Sequence, residues 1–291
     1  MCQKPFLKWV GGKYRLFNQI KNYMPATIET YIEPFVGGGG MLFQVLEHYP
    51  MLEDAFINDL NGDLINCYVT VRDYPCELIE ILANIEKEYI KSEQEARRKE
   101  FYYEMRKRYN EGATDSTIES AALFIFLNKS GYNGLYRVNS KGEFNVPCGR
   151  HFRKIYNEER IYSCSEALQK VTIHNEDFRP FMNTLFYIIN DATLVYLDPP
   201  YMDTFVGYTA DGFSDIFQSK LKCCCDLINE KNGMFLLSNS DSEFIKEIYK
   251  DYYINYVHAQ YMINSDASQR KNKVNEVLVS NKKTGLNSFF E

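Results

Sequence analysis

Thr30-Tyr31-Ile32-Glu33-Pro34-Phe35-Val36-Gly37-Gly38-Gly39-Gly40 is the stretch that decides how this chain folds. Thr30 to Phe35 reads as a strand, four glycines follow it, and Met41, Leu42, Val45 and Leu46 then recur at helical spacing. Ala55 to Asn58 reads as a second strand that ends at Asp59. Strand, glycine turn, helix and strand make the opening of a Rossmann-type βαβ unit, in which glycines let the backbone approach a ligand at a helix N-terminus. Asp59 lies 22 residues beyond Gly37, near the separation at which an acid binds ribose hydroxyls. A glycine loop alone suits an ordinary turn equally well; the acid at that separation makes the case stronger.

Working outward, the same patterning returns in the last third of the chain. Val171 to Ile173 reads as a strand followed by Glu176-Asp177-Phe178, and the apolar run Thr193 to Leu197 leads into Asp198-Pro199-Pro200-Tyr201. A helix over Asp215 to Lys231 precedes a strand over Met234 to Leu237. Between the two α/β parts, residues 61–157 change character. They are helix-rich and charged through Glu77 to Tyr109, with Leu78, Leu82, Ile85 and Tyr89 on one stripe, and then loop-like. Lys141-Gly142, between Tyr136-Arg137-Val138 and Phe144-Asn145-Val146, has the form of a hairpin turn. The expected architecture is α/β, a doubly wound sheet interrupted by a helical insertion that carries a β-hairpin.

Asp198-Pro199-Pro200-Tyr201 carries the chemistry. The lone pair of a nucleobase amino group is delocalised into the ring, which makes the nitrogen a poor nucleophile. If the Asp198 carboxylate and the Pro199 carbonyl each accept one N–H, the nitrogen is drawn toward tetrahedral geometry and its lone pair becomes available. Pro199 and Pro200 stiffen the turn because φ is locked and no N–H competes for the acceptors. Tyr201 offers a ring on which a base can stack. The bland alternative is an ordinary strand-ending turn.

At 291 residues the chain can bury a substantial core. The N-terminal residues Met1 to Leu16 contain no signal-peptide core, and the longest apolar run, Ala121 to Leu127, is too short to span a bilayer. The eight cysteines show no C-x-x-C pair and no histidines at ligand spacing. No metal is therefore expected. Cys224 and Cys225 fall on one helical face with Phe217, Leu221 and Ile228 and read as core residues. Reduced thiols suit a cytoplasmic location. The net charge of −6 argues against a nucleic-acid partner until its distribution is considered. Lys129, Arg137, Lys141, Arg150, Arg153 and Lys154 face one acid, Glu143, between positions 129 and 154, a local balance of +5. Such a stretch is often only a solvated face.

Four signatures in order give the chain a specific resemblance: Phe6-Leu7-Lys8-Trp9-Val10-Gly11-Gly12-Lys13, Glu33-Pro34-Phe35-Val36-Gly37-Gly38-Gly39, Leu127-Asn128-Lys129-Ser130-Gly131-Tyr132-Asn133-Gly134-Leu135, and Asp198-Pro199-Pro200-Tyr201. Phe144-Asn145-Val146-Pro147 with Gly149-Arg150, Phe205 with Tyr208, and Arg270 with Lys273-Val274 extend it over nearly the whole length. The sequence resembles the Dam family, the alpha group of DNA adenine-N6 methyltransferases.

The resemblance implies a Rossmann-like, S-adenosylmethionine-dependent catalytic domain formed by residues 1–60 and 158–291, with a target-recognition domain over 61–157. It implies cofactor contacts from Trp9, Lys13, Glu33, Phe35, Gly37, Gly39, Asp59, Asp177, Phe178 and Asp198, no metal, and S-adenosylhomocysteine as product. Tyr201 would stack on a flipped target adenine. Lys8 and Arg137 match residues that read guanines, and Leu135 and Pro147 match those that touch thymine. Tyr132 and Asn133 match residues that wedge into the stack and hold the backbone. That set implies double-stranded DNA as partner and GATC as its site. Arginine suits guanine O6 and N7, and apolar Leu135 and Pro147 suit a thymine methyl. Arg150, Arg153, Lys154, Arg270 and Lys273 would position the duplex on its phosphates.

His151 stands where the best-known members carry an aromatic, and Gly38 and Gly40 enrich the cofactor loop in glycine. Two alternatives stay open: an amino-group methyltransferase acting on RNA or on another DNA motif, and a non-catalytic DNA-binding protein. A cognate restriction endonuclease that shares the site without being bound is compatible with the resemblance.

Overall fold

The computed structural model describes residues 4–91, 95–112, 117–150, 154–200, 215–260 and 273–283. Ten α-helices and seven strands lie along these segments, with five consecutive helices between the second and third strands. The strands are β1 (Thr30–Glu33), β2 (Asp54–Asn58), β3 (Val171–His174), β4 (Thr193–Leu197), β5 (Met234–Ser240), β6 (Tyr253–Gln260) and β7 (Lys273–Ser280). The helices are α1 (Phe17–Ile20), α2 (Leu42–His48), α3 (Gly62–Asp73), α4 (Pro75–Lys91), α5 (Glu95–Asn110), α6 (Thr117–Ser130), α7 (Glu158–Leu168), α8 (Phe178–Leu185), α9 (Asp215–Glu230) and α10 (Glu243–Ile248). They fall into two compact units. One comprises Met1–Gly12, Gly37–Phe43 and Asn61–Gln169, the other Lys13–Val36, Gln44–Leu60 and Lys170–Glu291.

All seven strands belong to the second unit and form one sheet in the order β3-β2-β1-β4-β5-β7-β6. The first five neighbours run parallel, while β7 pairs antiparallel with both β5 and β6. Every residue of β4 is buried, as parallel strands covered on both faces must be. Val195 and Leu197 pack in one apolar cluster with Ile32, Phe181, Met182, Leu221, Cys225, Ile228, Phe235, Leu237 and Val279. The cysteine-bearing face expected of α9 is thus core, with Phe217 partly buried at its edge. The order reverses between β1 and β4, so their carboxyl ends flank a topological switch point, where open α/β sheets bind ligands. At the far edge, Gln19 pairs with the β6 backbone like a fragment of strand: its Nε2 donates to His258 O at 3.1 Å and its Oε1 accepts from His258 N at 3.0 Å. That covers part of an otherwise open edge.

The strands expected at 30–35, 55–58, 171–173 and 234–237 are all present, with ends shifted by one to three residues. β6 and β7 lie beyond the sequence-based expectations.

The first unit is helical. Ala121 to Leu127 are all buried, because α6 packs against α3, α4 and α5 and is apolar on every side. The α4 stripe of Leu78, Leu82 and Tyr89 is buried as its spacing implies. The hairpin expected over 136–146 reduces to one antiparallel bridge, Val138↔Phe144, closed by a turn with Gly142 at φ +80°. Its backbone bonds run from Asn139 N to Glu143 O at 2.9 Å and from Asn145 N to Arg137 O at 3.0 Å, while Asn145 O accepts from the Arg137 guanidinium at 3.4 Å, in place of the backbone N–H that would extend a regular ladder. On the opposite edge, Asn110 on α5 donates from Nδ2 to Phe144 O at 3.0 Å and accepts from Phe144 N at 2.8 Å, and Tyr102 and Arg106 both donate to Val146 O.

Asn128, buried near the end of α6, organises this unit. Its Oδ1 accepts from Lys8 N at 3.0 Å, and its Nδ2 donates to Lys8 O at 2.8 Å and to Gly134 O at 3.2 Å. One amide thus ties the N-terminal segment and the Tyr132–Gly134 turn to α6. Removing it strands three buried backbone groups, each costly when unsatisfied. Asn128→Ala is expected to lower unfolding free energy by roughly 2–4 kcal/mol, read as a reduced urea midpoint; an unchanged midpoint would show that water replaces the amide.

Candidate functional site

At the switch point of the sheet unit, β4 delivers Asp198 and the turn Pro199-Pro200. Lys13, on a short 3-10 helix over Lys13–Arg15, places Nζ 2.9 Å from Asp198 Oδ1 and 3.7 Å from Glu276 Oε2 on β7. The Lys13 and Glu276 side chains are 3% and 0% exposed, whereas Asp198 keeps 19%. Asp198 is thus the member of the trio that meets solvent. Burial is the largest influence on the Lys13 ammonium and would lower its pKa. Asp198 and Glu276 together outweigh it, so the pKa stands above the ordinary value.

Beside this trio lie two buried phenols. Tyr31 OH donates to Glu33 Oε2 at 2.8 Å, and Tyr196 OH shares a 2.8 Å bond with Ser238 Oγ. Burial first, and then the surrounding carboxylates, hold both phenols well above the ordinary tyrosine range. Asp198, Glu276 and Glu33 all raise the Tyr196 phenol, and the first two also hold the Lys13 ammonium.

The ends of β1 and β2 are joined by Asn58. Its Nδ2 donates to Pro34 O at 3.1 Å and to Glu176 O at 2.9 Å, its Oδ1 accepts from Glu176 N at 3.0 Å, and its own carbonyl accepts from Val36 N at 2.9 Å. Phe35 and Phe178 consequently meet with ring centroids 5.3 Å apart. Asp59 follows at the end of β2, its carbonyl accepting from Asn175 Nδ2 at 2.8 Å. Asp177 caps α8: it accepts from Arg179 N at 2.9 Å and from the Arg179 guanidinium at 2.7 and 3.0 Å. Arg179 holds its carboxyl below the ordinary carboxylate range. The acid expected beside a cofactor is thus engaged by a helix terminus and an arginine.

In the helical unit, Trp9 stacks on Tyr136 and Phe124, with centroids 5.9 and 6.4 Å away, and lies against the glycine loop. A Cβ at Gly38 would come within 2.5 Å of Trp9 Cβ, and one at Gly37 within 3.0 Å of Trp9 Cδ1. Gly37 and Gly39 take φ of +49° and +74°, a region where side chains are strained. Tyr68 OH donates to Gly37 O at 2.9 Å and fixes the loop.

The side chain of Lys8 runs beside Gly134, where an added Cβ would meet Lys8 Cδ at 2.9 Å. Tyr132 and Asn133 are exposed on the turn, Asn133 at φ +57°, and Leu135 is half-buried. Arg137 is exposed, with Nε donating to Asn145 Oδ1 at 2.6 Å. Pro147 and Arg150 are exposed, and the Pro147 carbonyl accepts from Tyr132 N at 2.9 Å. Lys8, Gly134 and the Tyr132–Pro147 pair therefore share one surface of this unit. Tyr201, Phe205, Tyr208, His151, Arg153 and Arg270 lie outside the described residues, as does the side chain of Lys273.

Sequence reasoning missed Asn58, Asn128, Asn145 and Glu276. Asn128 stood inside a quoted signature but carried no assigned role. Glu276 had a readable signal, an acid directly before the apolar run Val277-Leu278-Val279.

Residues 9–263 match the family described as D12 class N6 adenine-specific DNA methyltransferase. The Type II methyltransferase M.MjaIII of Methanocaldococcus jannaschii is 38% identical, an alignment covering 96% of this chain and 99% of that one. The Type II methyltransferase M1.LlaDCHI of Lactococcus lactis subsp. cremoris is 37% identical over 96% and 95% of the two chains. The DNA adenine methylase of Escherichia coli K12 is 32% identical over 94% of each. With the family matched over most of its length and the Asp198-Pro199-Pro200 turn placed at the switch point of an α/β sheet, this chain belongs to the D12 class of N6 adenine-specific DNA methyltransferases.

Proposed function

We propose that this enzyme transfers the methyl group of S-adenosylmethionine to N6 of an adenine rotated out of double-stranded DNA, within GATC. The observation that carries the reading is the Asp198 carboxylate, anchored by Lys13 at 2.9 Å yet partly exposed at the end of β4. An anchored acceptor at a strand end is what activation of an amino group requires. Asp198 and the Pro199 carbonyl accept the two N6–H bonds, and Pro200 keeps the turn rigid. Tyr201 is assigned to stacking on the base from the sequence resemblance alone.

The residues present suit the cofactor. In the sheet unit, Phe35 with Phe178 supplies an aromatic surface. Asp198 and Glu276 outnumber the Lys13 ammonium, a negative balance matched to a sulfonium and an α-ammonium. When bound, the cofactor supplies the methyl group as an electrophile. Lys13 holds Asp198, Asp59 is available for ribose hydroxyls, and Asp177 holds the start of α8 so that Phe178 stays against Phe35. Trp9, Gly37 and Gly39 are assigned to the same cofactor from sequence.

For the DNA, Lys8 and Arg137 are the guanine readers, and Leu135 and Pro147 provide thymine contacts. Tyr132 and Asn133 take the space of the extruded base. Arg150, with Lys154, Arg270 and Lys273, neutralises phosphates. The Arg137 fork is held by Asn145 at 2.6 Å, which presets it for bidentate recognition at reduced entropic cost.

Asp198→Ala is expected to abolish tritium transfer from the labelled cofactor to a GATC duplex while DNA affinity stays within about threefold; retained transfer would refute the acceptor role. Arg137→Ala should cost about 1–3 kcal/mol of discrimination at one guanine, seen in single-molecule sequencing as adenine methylation spreading to sites altered at that base. If the wild-type enzyme modifies adenine at a different motif, Asp198 keeps its role and the reader assignments fall.

A further inference from the structure

Glu276 is a buried carboxylate that recognition of neither DNA nor base requires. It lies on β7, in register with Ser240 of β5 and Val257 of β6, and is followed by the buried run Val277-Leu278-Val279. An ionised carboxylate in such surroundings costs several kcal/mol and persists only with a counter-charge. That counter-charge is Lys13, whose Nζ stands 3.7 Å from Glu276 and 2.9 Å from Asp198. The three residues form a line from the sheet interior to the exposed acceptor, drawn from segments more than 75 positions apart.

We propose that Glu276 is a positioning residue for methyl transfer, acting through Lys13 to hold the Asp198 carboxylate in its productive place. The inference rests on the acceptor role of Asp198 given above. An ammonium carries three donors on a flexible four-carbon stem. With Asp198 as its one carboxylate partner, it could swing across both Asp198 oxygens and compete with the N6–H group for them. A second carboxylate 3.7 Å away draws on the same ammonium and restrains the nitrogen. Glu276 also opposes burial, which alone would drive the ammonium toward neutrality.

Among the described residues, two phenols stand beside the trio. Tyr31 from β1 and Tyr196 from β4 are held well above the ordinary phenol range by burial and nearby carboxylates. Glu33 accepts from Tyr31 OH, and Ser238 from β5 has no charge to lose. Glu276 lies 3.7 Å from the Lys13 ammonium and is one of the two carboxylates that offset its burial. The Lys13 pKa is raised, so the ammonium and its hold on Asp198 are present at neutral pH and lost as pH rises above the ordinary lysine range. Removing the Glu276 charge takes away one of these two carboxylates, and the loss moves to lower pH.

The test uses the full chain with S-adenosylmethionine and an unmethylated GATC duplex, following single-turnover methyl transfer from about pH 6.5 to about pH 9.5. Glu276→Gln is expected to slow transfer about tenfold at neutral pH, less than the hundredfold a 1 Å misplacement can cost, and to bring into this window an alkaline fall in rate that the wild type, with its raised Lys13 pKa, does not show there. Glu276→Asp should slow transfer without bringing that fall into the window. In the cofactor-free protein, the NMR signal of the Lys13 ammonium should titrate at lower pH in Glu276→Gln than in wild type. A Glu276→Gln profile parallel to wild type, or an unmoved Lys13 titration, overturns the proposal. If Glu276→Gln does not fold, Glu276→Asp decides, and a wild-type rate there overturns it as well. Asp198→Ala separates the two readings: transfer surviving in that variant defeats the acceptor role itself, whereas its loss beside an unaffected Glu276→Gln defeats only the role of Glu276.

Discussion

A single buried ammonium, Lys13, is the constraint on which the catalytic end of the sheet depends. Taking a lysine and two carboxylates out of water is expensive, and their attraction offsets that cost only in good geometry. The geometry comes from the topology: β4 ends at Asp198, β7 passes with Glu276, and the 3-10 helix brings Lys13 between them. Such an arrangement contributes little net stability compared with apolar side chains of the same volume. What it provides is one fixed orientation for one carboxylate, which a reaction that relies on placement needs more than stability.

The helical unit solves a different problem with a similar economy. The residues proposed as DNA readers sit on loops, which are poor platforms, and two asparagine side chains compensate. Asn128 binds Lys8 at both backbone atoms and holds the turn that begins at Tyr132 through Gly134. Asn145 receives the Arg137 guanidinium. Asn110 from α5 and Tyr102 beside it hold Phe144 and Val146. The loop residues are thereby fixed by side chain to backbone bonds instead of by a ladder, so the segment can be irregular and still ordered.

These differences explain what could be read in advance. Strand, glycine turn and second strand from Thr30 to Asp59 were legible because hydrophobic period and glycine placement are local properties. Asp198 was legible because four consecutive residues carry its chemistry. Glu276 and Asn58 were not, since their roles exist only once distant strands are paired: Asn58 bonds to Pro34 and to Glu176, 24 and 118 residues away. The longer hairpin over 136–146 failed for a related reason. Its pattern was correct for a strand pair, but the Arg137 side chain took the Asn145 carbonyl that a regular ladder would have used. Residues such as Asp177 lie between these cases. Its position was readable, whereas its occupation by Arg179 needed the α8 N-terminus to be in place.

Charge is distributed to suit two partners of opposite sign. In the sheet unit, Asp198 and Glu276 stand 2.9 and 3.7 Å from the Lys13 ammonium, and two carboxylates beside one cation suit the sulfonium of the cofactor proposed above better than a neutral thioether. Along the sequence of the helical unit, six basic residues stand against one acid between positions 129 and 154, a balance that suits the proposed polyanion. A net charge of −6 conceals both facts because it averages them. A protein that has to attract a cation and a polyanion cannot meet both needs with a uniform surface, so the sign of the sum is less informative than its segregation along the chain.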